Sequence, residues 1–279
     1  MGYITSDNLN LHKNEWLVIN PKAIILLLHG LGEYSGRYEY NQLAKSFNRA
    51  GISVTSFDFR GGGKSDGLVG HIDRFIQLTE DLAMIAEAEK PKDIPFILLS
   101  HSLGGLIATR YLIDHKDHPF DMAIFSAPAV KSDDSMAPIL RKIAPIISKL
   151  FPKLPAAKFA QDMISKDPEV RSRYQSDPLI YKGKIRARKG YEVMMSMEYV
   201  MERFTAIDLP ILVMHGVDDK ITDPLGSQML FDGVSSNDKS LKYFDGLYHE
   251  IFNEPERVEV IDYTIDWIGE RLYVSKNAK

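Results

Sequence analysis

The stretch from Ile94 to Asp114 constrains the fold more than any other part of the chain. It reads IPFILLS, then HSLGG, then LIATRYLID. An apolar run rich in Ile, Leu and Phe stops at Ser100, and an apolar pattern of helical period begins a few small residues later. The segment is therefore a buried strand, a tight turn and a helix. Ser102 stands at the turn. A sharply bent backbone there pushes a serine side chain out of the sheet edge, while the helix behind it directs free N–H groups at whatever binds nearby.

The rest of the chain repeats the alternation. Residues Met1 to Ile19 read as a leading hairpin, and AIILLLHG, from Ala23 to Gly30, is a continuous apolar strand that ends in the loop HGLGEYSGRY. Tyr38 to Ala50, with Leu43 and Phe47 four apart and Gly51 as a stop, reads as a helix. ISVTSFDF is the next strand, followed by the glycine-rich loop RGGGKSDG, and Leu78, Leu82 and Ile85 mark a helix before the pivotal strand. After it come the strands MAIFSAP, ILVMHG and LKYFDG, and a last helix in which Val258, Ile261, Ile265, Ile268 and Leu272 recur at spacings of three and four. Strands apolar throughout, alternating with helices, describe an α/β protein with a mostly parallel central sheet flanked by helices.

The alternation lapses between Ala129 and Thr205, where no strand is expected. The chain divides accordingly into a core of residues 1–128 and 206–279 and a helical cap insertion, 129–205, lying over the strand ends where open α/β sheets bind ligands. Within the insertion, YEVMMSMEYVMERF holds four methionines and three aromatics, a composition that suits core packing at least as well as a ligand pocket.

Several function classes drop out on composition. The 279 residues, 44% of them hydrophobic, suffice for one large domain. A net charge of −4 gives no reason to expect nucleic acid. Cysteine is absent, which excludes disulfides, a thiolate nucleophile and cysteine metal sites. The start MGYITSDNLN has no apolar signal core, and the longest apolar run, Ala23 to Leu28, is too short to span a bilayer, so a cytoplasmic protein is expected. Met1-Gly2 with Ser6 matches the myristoylation pattern, but so short a pattern is usually accidental and Tyr3 is large for it. Gly63-Lys64-Ser65 lacks the P-loop's first glycine, because Asp58 stands in its place. No cofactor or metal is expected.

The pentapeptide Ser100-His101-Ser102-Leu103-Gly104 resembles the G-x-S-x-G nucleophile elbow of the α/β-hydrolases, with serine in the first glycine position. By itself it is equally an ordinary turn. A serine nucleophile needs a base, and usually a carboxylate to hold the base in the right tautomer; in α/β-hydrolases the acid and then the histidine follow the serine. Asp218, Asp219 and Asp223 follow ILVMHG, and His249 follows LKYFDG. Of the eight histidines only His249 lies in that late loop: His12 is in the hairpin, His71 opens a helix, His115 and His118 are at a helix end, His29 and His215 end strands, and His101 is inside the elbow. Position alone leaves three aspartates in competition, with Asp223 suited to capping the helix near Pro224. The developing oxyanion requires donors. The N–H of Leu103, just after the serine, and the N–H of Leu31, in the Gly30-Leu31-Gly32 loop, are assigned to it.

HGLGEYSGRY at 29–38, DFRGGGKSDG at 58–67, SHSLGG at 100–105, HGVDDKITD at 215–223 and LKYFDGLYHEIFNE at 241–254 together resemble the monoacylglycerol lipase and lysophospholipase group of serine α/β-hydrolases. The resemblance spans nearly the whole chain apart from the insertion. It implies the α/β-hydrolase fold and hydrolysis of a small lipid ester of glycerol or glycerophospholipid. Ser102 would be the nucleophile, His249 the general base and then acid, and Asp219 its orienter, since Asp219 matches the acid of the group's G-x-x-D loop counted from Gly216. Two positions depart from the pattern: Ser100 replaces glycine, and Gly62 stands where the group commonly has histidine.

Substrate clues come from the insertion. Between Lys131 and Lys158 there are six Lys or Arg and two Asp, among Ile139, Leu140, Ile143, Ile147, Leu150 and Phe151. Such a segment can make transient contact with an anionic membrane surface, although packing of its apolar face on the core is the commoner arrangement. Two other readings compete: a non-catalytic, receptor-like hydrolase fold that binds a small hydrophobic ligand, and a proline-iminopeptidase-like peptidase. The loop His-Gly-Leu-Gly-Glu weighs against the second, where that group has H-G-G-P-G.

Overall fold

A computed structural model of the chain describes residues 2–132, 138–158 and 160–277. Met1 of the amino-terminal pattern, Asp133 and Asp134 of the basic interval, and Ser135, Met136, Ala137 and Phe159 of the insertion lie outside the described residues.

The leading segment forms an antiparallel hairpin, β1 (Gly2–Ile4) with β2 (Asn10–Trp16). Four apolar strands follow: β3 (Ala23–Leu28), β4 (Ile52–Phe57), β5 (Phe96–His101) and β6 (Met122–Ser126). The short β7 (Pro155–Ala157) and β8 (Ile185–Arg186) pair only with each other, and β9 (Ile211–Gly216) and β10 (Lys239–Phe244) rejoin the main sheet. Its order is β1-β2-β4-β3-β5-β6-β9-β10, with every pairing from β4 to β10 parallel. Because β3 is flanked by β4 on one side and β5 on the other, the order reverses there, and the loops leaving β3 and β5 diverge to open a crevice at their carboxyl ends.

Helices α1 (Arg37–Tyr40) and α2 (Leu43–Arg49) follow β3, α3 (Ile76–Glu89) follows β4, and α4 (Leu103–Asp114) follows β5. Between β6 and β9 lie α5 (Pro138–Leu150), α6 (Pro168–Ser176) and α7 (Ala187–Met201). The chain ends with α8 (Pro224–Gly233), β10 and α9 (Arg257–Asn277). Side-chain alternation along the strands divides the core. Leu26, Leu28 and Leu98 join one apolar cluster with α3, α4 and α7, whereas Ile25, Leu27, Ile97 and Leu99 join a second with α2 and α9. Helices on both faces explain why these strands are apolar at every position.

Four readings need correction. The single helix expected over 38–50 is two, because Gln42 turns left-handed at φ 66° and the Asn41 side chain then accepts the Leu43 N–H at 3.0 Å, restarting the helix. His71 does not open a helix; it lies in the loop before α3. In α9 the first apolar position, Val258, is 62% exposed, and Val260 is buried instead. The segment expected to lack strands, 129–205, does contain a ladder, β7 with β8, whose three and two residues are too few to leave a periodic signal.

The segment between β6 and β9 is tied to the loops at the strand ends. Tyr181 N–H donates to Gly32 O at 2.8 Å, Arg186 N–H to Gly70 O at 3.1 Å, and Glu250 N–H to Ile164 O at 2.8 Å. Contrary to the commoner arrangement for an amphipathic helix, much of the apolar stripe on and after α5 faces outward. Ile139, Ile146, Leu150 and Phe151 are exposed, while Ile143 and Ile147 are half-buried.

Candidate active site

Ser102 is the corner between β5 and α4. Its φ of 52° and ψ of −116° are unfavourable for a residue with a Cβ, a strain of about 1–3 kcal/mol that surrounding structure must impose. Four backbone hydrogen bonds impose it: Ser102 N–H donates to Ser126 O at 3.0 Å, and Ser102 O accepts from Gly105 at 2.9 Å, Leu106 at 3.3 Å and Ala129 at 3.0 Å. Glycine at 104 is required sterically, since a Cβ there would lie 2.6 Å from His29 O and 2.7 Å from Leu28 O. The irregular Ser100 is fully buried, and its hydroxyl donates to Ile124 O at 3.2 Å. The extra group is satisfied by the neighbouring strand β6.

The loops after β9 and β10 bring the expected partners to this corner. Ser102 Oγ lies 2.8 Å from His249 Nε2, and His249 Nδ1 lies 2.7 Å from Asp219 Oδ2. With Nδ1–H donating to the carboxylate, Nε2 is left to accept from the serine hydroxyl. All three are buried, at 4%, 1% and 6% exposure. Asp219 is heavily solvated by protein: Oδ1 accepts from the Ile221 N–H at 2.7 Å and the Thr222 N–H at 3.1 Å, and Oδ2 accepts from the Thr222 hydroxyl at 2.8 Å. His215 Nε2 lies a further 2.9 Å from Oδ2, with Nδ1 held 2.7 Å from Ser227 Oγ. Burial alone would raise the Asp219 carboxyl, but His249 and His215 hold it far below the usual carboxylate range. The other two aspartates do ordinary work. Asp223 caps α8 through the Leu225 N–H and pairs with Lys131 at 3.1 Å, and Asp218 donates its N–H to Leu247 O.

Gly30 carries the loop after β3 against the serine: a Cβ on Gly30 would lie 3.2 Å from Ser102 Cβ. Among the described residues, neither the Leu31 N–H nor the Leu103 N–H donates to a protein acceptor. His29 steadies the loop from behind, with Nδ1–H donating to Gly30 O at 2.8 Å and Nε2 accepting from the Phe59 N–H at 3.0 Å. Burial lowers its pKa, consistent with that neutral tautomer.

Sequence reasoning missed a buried ionic clamp. Arg37 Nη1 is 2.7 Å from Glu33 Oε2, and the guanidinium grips both oxygens of Glu250 at 2.7 and 2.8 Å. Glu33 also accepts the Gly30 N–H at 2.5 Å. One arginine thus joins the loop bearing Leu31 to the residue beside His249. Burial would raise the Glu33 carboxyl, but Arg37 overrides it and brings it down to about 2. His101 packs 4.8 Å from the His249 ring, and burial with the nearby His249 charge lowers it to about 4, so it stays neutral. The signal for the clamp was present in G-E-Y-S-G-R and H-E, but nothing local pairs residues so far apart. Among the described residues no cluster of His, Asp or Glu is arranged to hold a metal ion.

Such an arrangement can move a serine proton to an imidazole and offer two amides to a tetrahedral oxyanion. The family described as serine aminopeptidase, S33, matches residues 19–256. The chain is 36% identical over 256 residues to a monoacylglycerol lipase of Mycolicibacterium smegmatis, covering 91% of this chain and 90% of the relative. It is 31% identical to phospholipase YtpA of Bacillus subtilis, over 88% of this chain and 94% of the relative. The crystal structure of a monoacylglycerol lipase from Paleococcus ferrophilus superposes with a TM-score of 0.83 at 31% identity, covering 92% of this chain and 97% of that one. The chain belongs to the serine aminopeptidase S33 family and, within it, to the monoacylglycerol lipase and lysophospholipase group of serine α/β-hydrolases.

Proposed function

We propose that the protein hydrolyses the carboxylic ester of a small lipid, a monoacylglycerol or a lysophospholipid, through an acyl-enzyme on Ser102. The observation that carries this reading is the unbroken hydrogen-bonded chain from Ser102 through His249 to Asp219. Ser102 Oγ attacks the ester carbonyl as its proton passes to His249 Nε2, and the Leu31 and Leu103 amides receive the oxyanion. The imidazolium then protonates the departing alcohol. Water, deprotonated by the same nitrogen, cleaves the acyl-enzyme and releases the acid. Asp219 holds the tautomer and stabilises the imidazolium. The intact chain of groups weighs against a purely receptor-like role.

The acyl chain is assigned to the space between the core and residues 129–205, which act as the cap over a core of 1–128 and 206–279. Val193 and Met197 of α7 pack against the apolar cluster that takes in Leu31 and Leu103. For the surface at which the enzyme works, no helix among the described residues is long and apolar enough to cross a membrane. The exposed Ile146, Leu150 and Phe151 stand beside the exposed Lys142, Lys149 and Lys153, a combination that fits contact with an anionic lipid surface. Hydrolysis should be measured across monoacylglycerol, lysophospholipid and an aminoacyl anilide. Turnover of the lipids is expected; turnover of the anilide alone would replace the lipase reading with a peptidase.

A further inference from the structure

One buried carboxylate close to the site takes no part in the proposed reaction. Glu254 comes directly behind the short turn Ile251–Asn253 that follows the His249 loop, and it is fully buried. Among the described residues no ion pair to it forms; the Lys166 ammonium goes instead to Glu256 at 2.8 Å. A carboxylate buried without a cation is costly unless hydrogen bonds replace its water, and burial raises the Glu254 carboxyl. Three donors supply those bonds. Oε1 accepts the Tyr248 N–H at 2.9 Å, Oε2 accepts the Ser165 hydroxyl at 2.9 Å, and the Lys166 N–H is shared between the two oxygens at 3.2 Å each.

These bonds bracket His249. The peptide joining Leu247 to Tyr248 is pinned at both of its polar groups: its carbonyl accepts the Asp218 N–H at 3.0 Å, from the loop that carries Asp219, and its N–H goes to Glu254. On the far side of His249 the Glu250 N–H donates to Ile164 O at 2.8 Å. Ile164 is followed by Ser165 and Lys166, the other two residues that Glu254 holds. One carboxylate therefore fixes the amide before the histidine and the segment that receives the amide after it. The same segment enters α6, since Ser165 Oγ accepts the N–H of Asp167, the cap of that helix, at 3.0 Å.

We propose that Glu254 is a positioning residue for the general base: it holds the backbone on both sides of His249 so that Nε2 stays aligned on Ser102 Oγ. A misplacement of about 1 Å can cost about a hundredfold in rate. The proposal rests on the catalytic reading of Ser102 and His249 above. Its test compares wild type, Glu254→Met and Glu254→Gln, each well below its melting temperature, in the rate of fluorophosphonate labelling and in kcat and KM for a short-chain monoacylglycerol. Methionine fills the space without accepting, whereas the glutamine carbonyl can still take the Tyr248 N–H. Glu254→Met is expected to lower the labelling rate and kcat by about tenfold or more with KM within about twofold, and Glu254→Gln to restore most of both. Folded Glu254→Met that labels and turns over within about twofold of wild type would make Glu254 a stability residue only and overturn the assignment. A loss confined to KM, or an equal loss in both variants, would overturn it too. Should Glu254→Met not fold, Glu254→Asp, one methylene short of the Tyr248 N–H, carries the same comparison. Absent labelling of the wild type would refute the catalytic reading and this assignment with it; equal labelling of wild type and variant would refute the Glu254 assignment alone.

Discussion

Replacing Arg37 with methionine removes the cation that two buried carboxylates share. Glu33 and Glu250 side chains are only 5% and 6% exposed, and both are within 2.7 Å of the guanidinium. Breaking a buried pair by deleting one partner costs about 3–5 kcal/mol, because the remaining charge is stranded. The titration of Glu33 leads to a similar figure. Its carboxyl is held at about 2 against an ordinary 4.5, a gap of about 2.5, worth about 3 kcal/mol at about 1.4 kcal/mol for each factor of ten. A depressed carboxyl stabilises the fold above its unfolded pKa, and that contribution fades as pH falls from there through about 2. The variant lacks it at neutral pH, so wild type and variant should converge on acidification. Urea unfolding at neutral pH is expected to show Arg37→Met less stable by about 3–5 kcal/mol, with a smaller deficit near pH 3.5. Adding Glu33→Gln and Glu250→Gln should recover part of the loss. A deficit below about 1 kcal/mol, or one that does not change with pH, would refute the account of the clamp.

Three further outcomes follow from the site. Asp219→Asn keeps the shape but disturbs the His249 tautomer, so kcat should fall by about 10⁴, and the melting temperature should fall as well, because an amide does not replace the charged acceptor shared by His249, His215 and the Thr222 hydroxyl; a loss under tenfold in steady-state kinetics would remove Asp219 from its role. Gly104→Ala forces a Cβ to within 2.6 Å of His29 O and should cost about 1–3 kcal/mol in denaturant unfolding, with reduced fluorophosphonate labelling; a neutral result would mean the strand–helix crossing has slack. Ser100→Gly removes a hydroxyl that only bonds Ile124 O and should alter stability by about 1 kcal/mol and leave kcat/KM nearly unchanged; a large gain in kcat would show that the extra group distorts the elbow.

The elbow, the parallel strands and the order of Ser102, Asp219 and His249 were legible because each rests on short-range pattern: an apolar run, a turn, a helical period. Asp219 could not be separated from Asp218 and Asp223 by position, and the resemblance was needed to choose it. The geometric reason appears only in the fold, where Asp219 alone faces His249 and collects Ile221, Thr222 and His215 as donors. The clamp of Glu33, Arg37 and Glu250 was hidden because it joins residues 213 positions apart. The break at Gln42 and the ladder of β7 with β8 were hidden for the opposite reason, being too short to generate a period.

The central claim is that Ser102 is the residue that takes the acyl group. Its most direct test is intact-protein mass spectrometry with peptide mapping after treatment with a fluorophosphonate. One adduct per chain, located on Ser102 and absent from Ser102→Ala, is the result the geometry requires. An adduct on another serine, or equal labelling of both proteins, would contradict it.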